Sequence, residues 1–441
     1  MEELCFPCDV VSTNDRERWH QEGFIQCRSN WIVLEQHHGG PCAVLAAVQA
    51  YMLLYSFYEA NGSWQTISEA DGEEALVHAL VSILDQTRMD KSDPILICPG
   101  LKEELITIDS VEEAVVFVEA SLDLFQSSGG VLCFLYSLVS TRGVENIRDD
   151  MDDASTGLTG QFGHCTQELL NLLLVGKATS QVHDGDVDLG GGMTLRGVHE
   201  RPSIGFLTHM EALRYCQVGS LYKKPKYPIW LIGSESHFTV LHCNQRSIND
   251  ESRVQQTQNM VKRAFSEHDQ GENGFIAIEK LPMVLSTIGL SLNDIECAQM
   301  IATCEMPGSG IILWDALWNC VRPLVVVPTE WSCSQCTFIN EPTAQECAVC
   351  HSVHRAEEVA EQEAEDDKCY SVTLTHVNGL VKKVQGVEKG PVVCSFQITK
   401  VSQDLQAPQA SGGEPIEEVV QTRWSGCLFT WPESGPPSIN G

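Results

Sequence analysis

The sequence predicts an α+β protein that consists of a mixed core followed by small appended units. Its 441 residues exceed the usual size of one domain, and 43% of them are hydrophobic, which is enough for packed cores. Residues 1–250 combine helical and strand patterns without an internal repeat, whereas the rest of the chain changes pattern at short intervals. The core should therefore lie in residues 1–250, and the later units should add to it.

The charge of the chain excludes several functional classes. The chain has 28 Lys and Arg residues against 60 Asp and Glu residues, a formal net charge of −32. Such a chain repels phosphates and anionic lipid headgroups, so we expect neither nucleic acid nor a membrane as a partner.

The start, Met1–Cys5, has neither the basic nor the apolar region of a signal peptide, and no run of 18 apolar residues occurs. We expect a soluble intracellular protein of the nucleus, the cytoplasm or both, in which most of the 19 cysteines stay reduced.

Several segments of the first unit have the patterns of buried elements. Their apolar residues recur at helical spacing or in short runs typical of strands, and polar loops separate them. The predicted helices and strands are, in order, Ala43–Tyr58, Glu73–Gln86 and Gln167–Leu174 for the helices, then Pro228–Leu231 and Phe238–Leu241 for the strands. A short polar turn joins the two strands.

Residues 251–325 show a helix, a glycine-containing loop and a helix, twice over. The loops at 269–276 and 305–312 resemble EF-hand loops, and Ile276 and Ile312 occupy the positions at which paired loops meet. Gly271 and Lys280 stand where a calcium loop needs oxygen ligands, and the second loop has still fewer of them. We therefore predict a degenerate EF-hand-like pair that holds its helices together without calcium.

Four cysteines in residues 331–352 have the spacing of a zinc ribbon. The pattern C-x2-C-x10-C-x2-C is formed by Cys333, Cys336, Cys347 and Cys350. Four thiolates complete a tetrahedral zinc site, and a segment of about 20 residues cannot fold on an apolar core of its own. We predict one structural Zn²⁺ in this unit.

The residues between these cysteines resemble the Ran-binding-protein type of zinc finger in its ubiquitin-binding (NZF) form. In that family a Thr-Phe pair and an apolar residue before the last cysteine contact ubiquitin, and here these residues are Thr337, Phe338 and Val349. The RNA-binding relatives need cationic and stacking groups. No Lys or Arg occurs between Trp331 and His351, so the resemblance implies ubiquitin rather than RNA as the partner.

The end of the chain changes composition twice. Residues 353–368 are rich in Asp and Glu and form a predicted acidic linker. Residues 369–441 return to strand patterns at Tyr370–Thr375 and Pro391–Val401, with a turn predicted between them at Asn378-Gly379. Because this region is too short to be a robust domain, we expect it to form a β segment that packs on the core.

A candidate nucleophile lies where a glycine-rich loop meets the first long helix. The loop runs from Gln36 through Gly39-Gly40-Pro41 to Cys42. At a helix start, unpaired N–H groups and the helix dipole favour a thiolate and lower a thiol pKa. Gln36, six residues earlier, can turn an amide N–H to the same point and form an oxyanion hole with the Cys42 N–H. Gln before Gly-x-Cys at a helix start is a papain-like arrangement.

The best candidate for the base is His237. It follows a predicted strand and a short polar turn and leads into the next strand, which places its imidazole at the mouth of a sheet. His242, beyond that strand, is the alternative. Asn244 and Ser236 are candidates by position only for a third residue that orients the base, and that role stays open.

Taken together, these motifs resemble the MINDY family of deubiquitinating cysteine proteases, and most of all its branch with an EF-hand-like insert, also called CARP-like. The segments that carry the resemblance are Gln36–Val44, Phe162–Ala178, Ile204–Ser220 and Trp230–His237, with Gln421–Trp424 near the end. The resemblance implies a papain-like core and hydrolysis of isopeptide bonds in polyubiquitin, with a preference for lysine-48-linked chains. It also implies that Cys42 is the nucleophile, His237 the general base and Gln36 the oxyanion donor. The zinc ribbon is a departure from that branch.

A second interpretation is a non-catalytic scaffold that binds polyubiquitin through the zinc finger while its cleft is occluded. Intact Gln36, Cys42 and His237 argue against it, but the sequence does not show whether these groups are aligned.

Overall fold

The structure, a computed structural model of the chain, describes most of its residues. The described ranges are 1–60, 67–101, 103–249, 253–269, 273–325, 331–332, 339–340, 346–351, 370–384, 387–400 and 413–440.

The described residues form a mixed α/β fold. Its helices are α1 Glu2–Cys5, α2 Thr13–Gln21, α3 Cys42–Leu54, α4 Glu69–Thr87, α5 Val111–Ala120, α6 Leu122–Gln126, α7 Gly130–Arg142, α8 Val144–Asp150, α9 Gln167–Val175, α10 His209–Ala212, α11 Ser220–Lys223, α12 Arg253–Ser266, α13 Leu281–Thr287, α14 Asp294–Cys304, α15 Trp314–Val325 and α16 Pro415–Gln421. Its strands are β1 Gln26–Cys27, β2 Asn30–Leu34, β3 Ile95–Ile97, β4 Ile106–Ile108, β5 Val187–Gly190, β6 Met193–Leu195, β7 Gly205–Thr208, β8 Ile229–Gly233, β9 Phe238–Cys243, β10 Phe275–Ala277, β11 Ile311–Leu313, β12 Trp331–Ser332, β13 Ile339–Asn340, β14 Tyr370–Asn378, β15 Lys382–Val384, β16 Val387–Lys389, β17 Val392–Lys400 and β18 Leu428–Thr430.

A six-stranded sheet is the centre of the fold, and it is assembled from two distant parts of the chain. The strand order is β18-β17-β14-β9-β8-β7, in which β7 and β8 are parallel and the other neighbours antiparallel. Strand β14 pairs with β9 on one side, with Leu374 opposite Cys243 and Val377 opposite Val240. On its other side β14 pairs with β17 over its full length. The C-terminal segment therefore supplies half of the sheet rather than an outer layer.

Both faces of this sheet are buried, which explains the nearly continuous apolar runs of its strands. Along β8, Ile229 and Leu231 belong to the large core that includes α3. Trp230 and Ile232 point to a second core, which contains residues of β14, β17 and α16. The alternation follows from the period of two in a strand.

Helix α3 is the central helix of the large core. Each of its residues is buried, from Cys42 to Leu54, and the next turn, Tyr55–Glu59, widens to π-helical geometry. The helix thus ends before the predicted Tyr58 boundary. By length and composition alone, the 18-residue stretch Cys42–Glu59 could cross a membrane, but 78% of it is buried inside the fold, as in a core helix.

The segment predicted as an EF-hand-like pair has a core of its own. Strands β10 and β11 pair with Ile276 opposite Ile312, as the loop pattern predicts, and both side chains are buried. Helices α12, α13 and α15 pack around them through Val261, Leu285 and Val321. The absence of calcium stays a prediction.

The cysteine-rich segment is described in part. Strands β12 and β13 pair with Trp331 opposite Asn340, and a turn follows at 348–350. Predicted ligands and contacts that lie outside the described residues are Cys333, Cys336, Thr337 and Phe338. The predicted acidic linker, 353–368, also lies outside them.

The predicted turn at Asn378-Gly379 is wrong. Strand β14 ends at Asn378, but the chain continues outward through β15 and β16, which form a small hairpin of their own, before β17 returns. Gly379 does not need a left-handed conformation; a Cβ there would lie 2.5 Å from the Leu34 carbonyl oxygen. The glycine permits a close approach of two backbones instead of a tight hairpin turn.

Candidate active site

Cys42 lies at the first turn of α3, and its side chain is only 3% exposed. Its sulfur is 3.8 Å from the Gly40 carbonyl oxygen, and the backbone N–H groups of Phe238, Ala43 and Cys42 lie near enough to it to lower its pKa. The Phe238 N–H comes from the first residue of β9, directly after His237. The helix start and the β9 start therefore meet at the Cys42 sulfur.

The structure corrects the predicted effect of the helix start on this thiol. The N–H groups lower the pKa of Cys42, but burial outweighs them and raises the pKa to about 11. In this conformation Cys42 is a neutral thiol at neutral pH. Attack on a carbonyl thus requires a base that takes the thiol proton during the reaction.

Side chains from α2 fix the glycine loop before Cys42. Gly40 has a φ of +122°, and a Cβ there would lie 2.9 Å from the Trp19 indole nitrogen. Arg18 donates hydrogen bonds to the carbonyl oxygens of Gly39, at 3.0 Å, and Phe162, at 2.6 Å. The Trp19 indole donates to the Gly163 carbonyl at 2.9 Å. The loops at 39–40 and 162–163 are thereby joined.

The buried carboxylate of Glu22 holds the preceding part of the loop. Its Oε1 accepts the N–H groups of His37, at 3.0 Å, and His38, and it lies 3.0 Å from the His38 Nδ1. Glu22 is 1% exposed, and burial raises its pKa. The sequence analysis missed this residue, because nothing local distinguishes it from other acidic residues near a helix end.

Gln36 is buried beside Cys42, but one of its amide N–H groups is already in use. Its Nε2 donates to the His38 carbonyl oxygen at 2.9 Å. A primary amide has two N–H groups, so the second remains for another acceptor. The Gln36 backbone is paired as well: its N–H donates to the Gly379 carbonyl, and its carbonyl accepts the Val381 N–H, both at 2.8 Å.

His237 is 3% exposed and is fixed on three sides. Its N–H donates to the Ser234 hydroxyl at 3.1 Å, and its carbonyl accepts the Ser234 N–H at 2.9 Å. The imidazole Nε2 lies 3.0 Å from the Asn378 Oδ1. Burial lowers the pKa of His237, the Asn378 hydrogen bond raises it, and the charge of Lys382 lowers it further. The net shift is downward, so the imidazole is neutral at neutral pH and able to accept a proton.

The alternatives considered for the base and the third residue occupy other surroundings. His242 stacks on Phe57, with 5.4 Å between ring centroids, and burial lowers its pKa to about 4. Asn244 hydrogen-bonds His242 rather than His237. The partner of His237 is Asn378, which neither position-based candidate, Asn244 or Ser236, anticipated. It lies 141 residues away from His237 in sequence, so no local pattern could identify it.

Cys42 and Gln36 line one small cavity with residues of β9 and the C-terminal segment. Its volume is about 20 Å³, and its lining includes Phe238, Thr239 and Gly379. A cavity of this size holds about one water molecule. A peptide substrate therefore has to widen the cleft when it binds.

Two of the four predicted zinc ligands lie within the described residues, which contain no cluster of three or more possible metal ligands. Cys347 and Cys350 flank one turn, in which the His351 N–H donates to the Cys347 carbonyl at 2.9 Å. Two thiols at the ends of a turn match the knuckle of a tetrahedral zinc site. Cys347 is buried, while Val349 is 57% exposed between the two cysteines. Since Cys333 and Cys336 are outside the described residues, the site stays a prediction.

Comparisons with known proteins all indicate one family. The family described as "Deubiquitinating enzyme MINDY-3/4, conserved domain" matches residues 4–263. Ubiquitin carboxyl-terminal hydrolase MINDY-3 of Homo sapiens is 32% identical over 472 residues, which cover 96% of this chain and 94% of that protein.

More distant relatives agree with this match. The MINDY-3 homolog of Drosophila melanogaster is 30% identical and covers 98% of this chain and 81% of its own length. The probable ubiquitin carboxyl-terminal hydrolase MINDY-4 of Xenopus tropicalis is 34% identical over 50% of this chain and 33% of its own. No solved structure matches the chain. The family match includes Cys42 and His237, and the full-length relatives extend it to the C-terminal strands, so the chain belongs to the MINDY-3/4 family of deubiquitinating enzymes.

Proposed function

We propose that this protein is a cysteine-type deubiquitinase that hydrolyses isopeptide bonds in polyubiquitin, with Cys42 as nucleophile, His237 as general base and Gln36 as oxyanion donor. The observation that carries the proposal is the meeting of α3 and β9 at the Cys42 sulfur, where Phe238, the residue after His237, lines the same cavity and its N–H lowers the pKa of the thiol. The Cys42 thiol and Gln36 then line one cavity with Phe238, the residue that follows His237. This order of groups is typical of a papain-like site.

The chemistry follows from the two pKa shifts. Cys42 is neutral because burial raises its pKa, and His237 is neutral because burial lowers its pKa. His237 takes the thiol proton as the sulfur forms a bond to the isopeptide carbonyl carbon. The N–H of Cys42 and the free amide N–H of Gln36 stabilise the oxyanion. The C–N bond breaks as His237 protonates the lysine amine, and water, with His237 again as base, hydrolyses the thioester.

The test is cleavage of lysine-48-linked tetraubiquitin by the wild type and by Cys42→Ala. We expect the variant to lose at least about 10³-fold in rate, since the nucleophile itself is removed. Cys133→Ala is the matched control: Cys133 is also a buried cysteine of a core helix, at 2% exposure, and should leave cleavage intact. Cleavage that survives in Cys42→Ala contradicts the proposal.

A preference for lysine-48-linked chains is part of the proposal and rests on the family resemblance. A parallel reaction with lysine-63-linked tetraubiquitin measures it. Cleavage of the first chain well before the second is the expected result, and equal rates exclude the preference.

The scaffold alternative has one observation in its favour, the small volume of the cavity at Cys42. A ubiquitin probe with an electrophile at its C-terminus separates the two functions. An enzyme forms a covalent adduct at Cys42, whereas a scaffold retains polyubiquitin on the immobilised protein without labelling or cleavage.

We further propose that Cys333, Cys336, Cys347 and Cys350 bind one structural Zn²⁺ and that Thr337, Phe338 and Val349 contact ubiquitin. The exposed Val349, held between two cysteines of one turn, supports this use. A second ubiquitin-binding site on the same chain raises the effective concentration of polyubiquitin at the cleft. We also place the protein in the CARP-like branch of its family and in the nucleus or cytoplasm.

Metal analysis tests the zinc site. The purified protein should contain about one zinc per chain, and Cys347→Ser should lose it while Cys297→Ser, a change in α14, retains it. Val349→Ala should keep the zinc but weaken capture of polyubiquitin. Wild-type protein without zinc contradicts this part of the proposal and leaves the catalytic part untouched.

A further inference from the structure

Residues 378–381, here called the C-terminal clamp, touch both sides of the candidate active site. The clamp begins at Asn378, the last residue of β14, and lies outside the conserved domain matched at residues 4–263. One of its ends contacts the loop that carries Gln36, and the other contacts His237.

On the Gln36 side the contact is made by backbone groups alone. The Gln36 N–H donates to the Gly379 carbonyl, and the Val381 N–H donates to the Gln36 carbonyl, both at 2.8 Å. This two-bond bridge fixes the Gln36 backbone relative to the clamp. The bridge requires Gly379, since a Cβ there would lie 2.5 Å from the Leu34 carbonyl oxygen.

On the His237 side the contact sets the tautomer of the imidazole. The Asn378 Oδ1 accepts the Leu380 N–H at 3.1 Å, and the Nδ2 donates to the Ser438 carbonyl at 3.3 Å. Because a backbone N–H only donates and a carbonyl only accepts, these two bonds identify the Asn378 oxygen. That oxygen can only accept from His237, so Nε2 carries the proton and Nδ1 has the free lone pair.

We propose that the C-terminal clamp is the positioning element of the active site: Asn378 sets the orientation and tautomer of His237, while Gly379 and Val381 hold Gln36 in register. The inference rests on the proposed function and adds the residues that align it. Asn378 acts through its contact with the His237 Nε2, so its role is positioning.

The pH dependence of kcat/KM distinguishes a positioning role of Asn378 from a role in stabilising the fold alone. The charged and titratable groups that act on His237 or respond to it are Lys382 of β15 and His376 of β14. The Asn378 hydrogen bond raises the pKa of His237, so its removal should lower that pKa. A general base acts when it is unprotonated, so the acidic limb of kcat/KM should move to lower pH in Asn378→Ala.

The decisive comparison uses two variants of Asn378 with opposite expected shifts. Asn378→Ala should lower kcat roughly 10- to 100-fold with little change in KM, and move the acidic limb to lower pH. Asn378→Asp places a carboxylate beside His237 and should move the limb to higher pH. A purely structural role lowers activity at every pH and moves neither limb.

A second pair of variants tests the Gln36 side. Gly379→Ala should displace the clamp and lower kcat, because its Cβ meets backbone rather than a movable side chain. Gly390→Ala is the matched control. Gly390 lies in the same connection between β14 and β17, and a Cβ there meets no atom within 4 Å. Melting temperatures of both proteins show whether each is folded before its kinetics are compared.

Nitrogen NMR of protein labelled at histidine gives a readout that does not need activity. The wild type should show His237 as the Nε2–H tautomer, assigned with His237→Gln, and Asn378→Ala should show a mixture. If both Asn378 variants keep the wild-type tautomer of His237 and the wild-type pH limbs of kcat/KM, the proposed role of the C-terminal clamp is wrong. If wild type cleaves no ubiquitin chain, the proposed function fails, and the NMR result still decides whether Asn378 sets the tautomer.

Discussion

The candidate nucleophile and the candidate base lie in two regions that are built in different ways. Around Cys42, the residues that shape the loop come from nearby α2 and from one further loop at 162–163. Around His237, the supporting strand β14 and its partner β17 come from the other end of the chain. The first region is stabilised mainly by polar contacts between α2 and two loops, and the second by a sheet with two buried faces. The loop at 39–40 should therefore tolerate changes in the C-terminal strands better than His237 does.

The largest expected effect comes from removal of the C-terminal strands. A chain that ends at residue 368 lacks β14, β17 and α16, and it exposes one apolar face of β8 and β9. We expect loss of cooperative thermal unfolding and binding of a hydrophobic dye, because most of one core is gone. Deletion of residues 331–352 is the contrasting variant and should melt close to the wild type. Cooperative unfolding of the truncated chain would show that the base side does not depend on β14.

A smaller effect is expected when one side chain of the second core is truncated. Trp230 is fully buried, meets Trp424 edge-on at 5.3 Å and donates to the Lys223 carbonyl at 3.0 Å. Trp230→Ala should lower the free energy of unfolding by about 3–5 kcal/mol in denaturant titrations. Tyr215→Ala, at a side chain that is 74% exposed, should change it by less than about 0.5 kcal/mol. A loss below about 1 kcal/mol at Trp230 would mean that the second core repacks.

The two regions should also differ in their response to acid. Burial lowers the pKa of His376 on β14 from 6.5 to about 3, so only its unfolded state binds a proton between these values. The neutral imidazole therefore contributes fully to the free energy of unfolding above pH 6.5. This contribution is lost as the pH falls, and the loss reaches roughly 2 kcal/mol at pH 5. Cys42 stays neutral over this interval, because its pKa is about 11.

Melting curves between pH 7.5 and 5 measure this difference. His376→Gln can still hydrogen-bond Thr239, the 2.9 Å partner of His376, and should lose less stability on acidification than the wild type. His199→Gln, at a half-exposed histidine near the β5–β6 hairpin, should follow the wild type. Equal acid sensitivity of wild type and His376→Gln would show that the buried histidine is not the cause.

The smallest effect is expected on the nucleophile side. Phe162 has a φ of +58° and a side chain that is 66% exposed, so its backbone is strained and its ring adds little burial. Phe162→Gly should therefore be more stable than Phe162→Ala by up to about 1 kcal/mol, the reverse of the usual order. Denaturant titration of the two variants measures the difference, and a more stable alanine variant would exclude strain at this position.

Local patterns predicted much of the fold and of the site. The spacing of apolar residues predicted α3, α4, α9, β8 and β9, because each of these elements buries an apolar face or a short apolar run that is visible in the sequence. The pattern Gln36 to Cys42 likewise put a thiol at a helix start, next to a buried glutamine.

The remaining features depend on contacts that the sequence does not encode locally. The raised pKa of Cys42 reflects burial by β9 and the C-terminal segment, not the helix start alone. Asn378-Gly379 has the composition of a hairpin turn, yet the asparagine is used by His237 and the glycine by the close approach to Leu34. Both contacts join residues far apart in sequence, so turn chemistry alone predicted the wrong conformation.

The position of β14 between β9 and β17 also determines when the candidate active site can form during synthesis of the chain. A ribosome makes the helix with Cys42 early, but Asn378 and Ser438 emerge only near the end. At roughly 5–20 residues per second, the roughly 200 residues between His237 and Ser438 take about 10–40 s to make. During that interval the nascent chain has its thiol but no strand beside the histidine. The candidate active site is thus incomplete until the C-terminal strands have been made, and a product that terminates before them lacks the strand and the asparagine that contact His237.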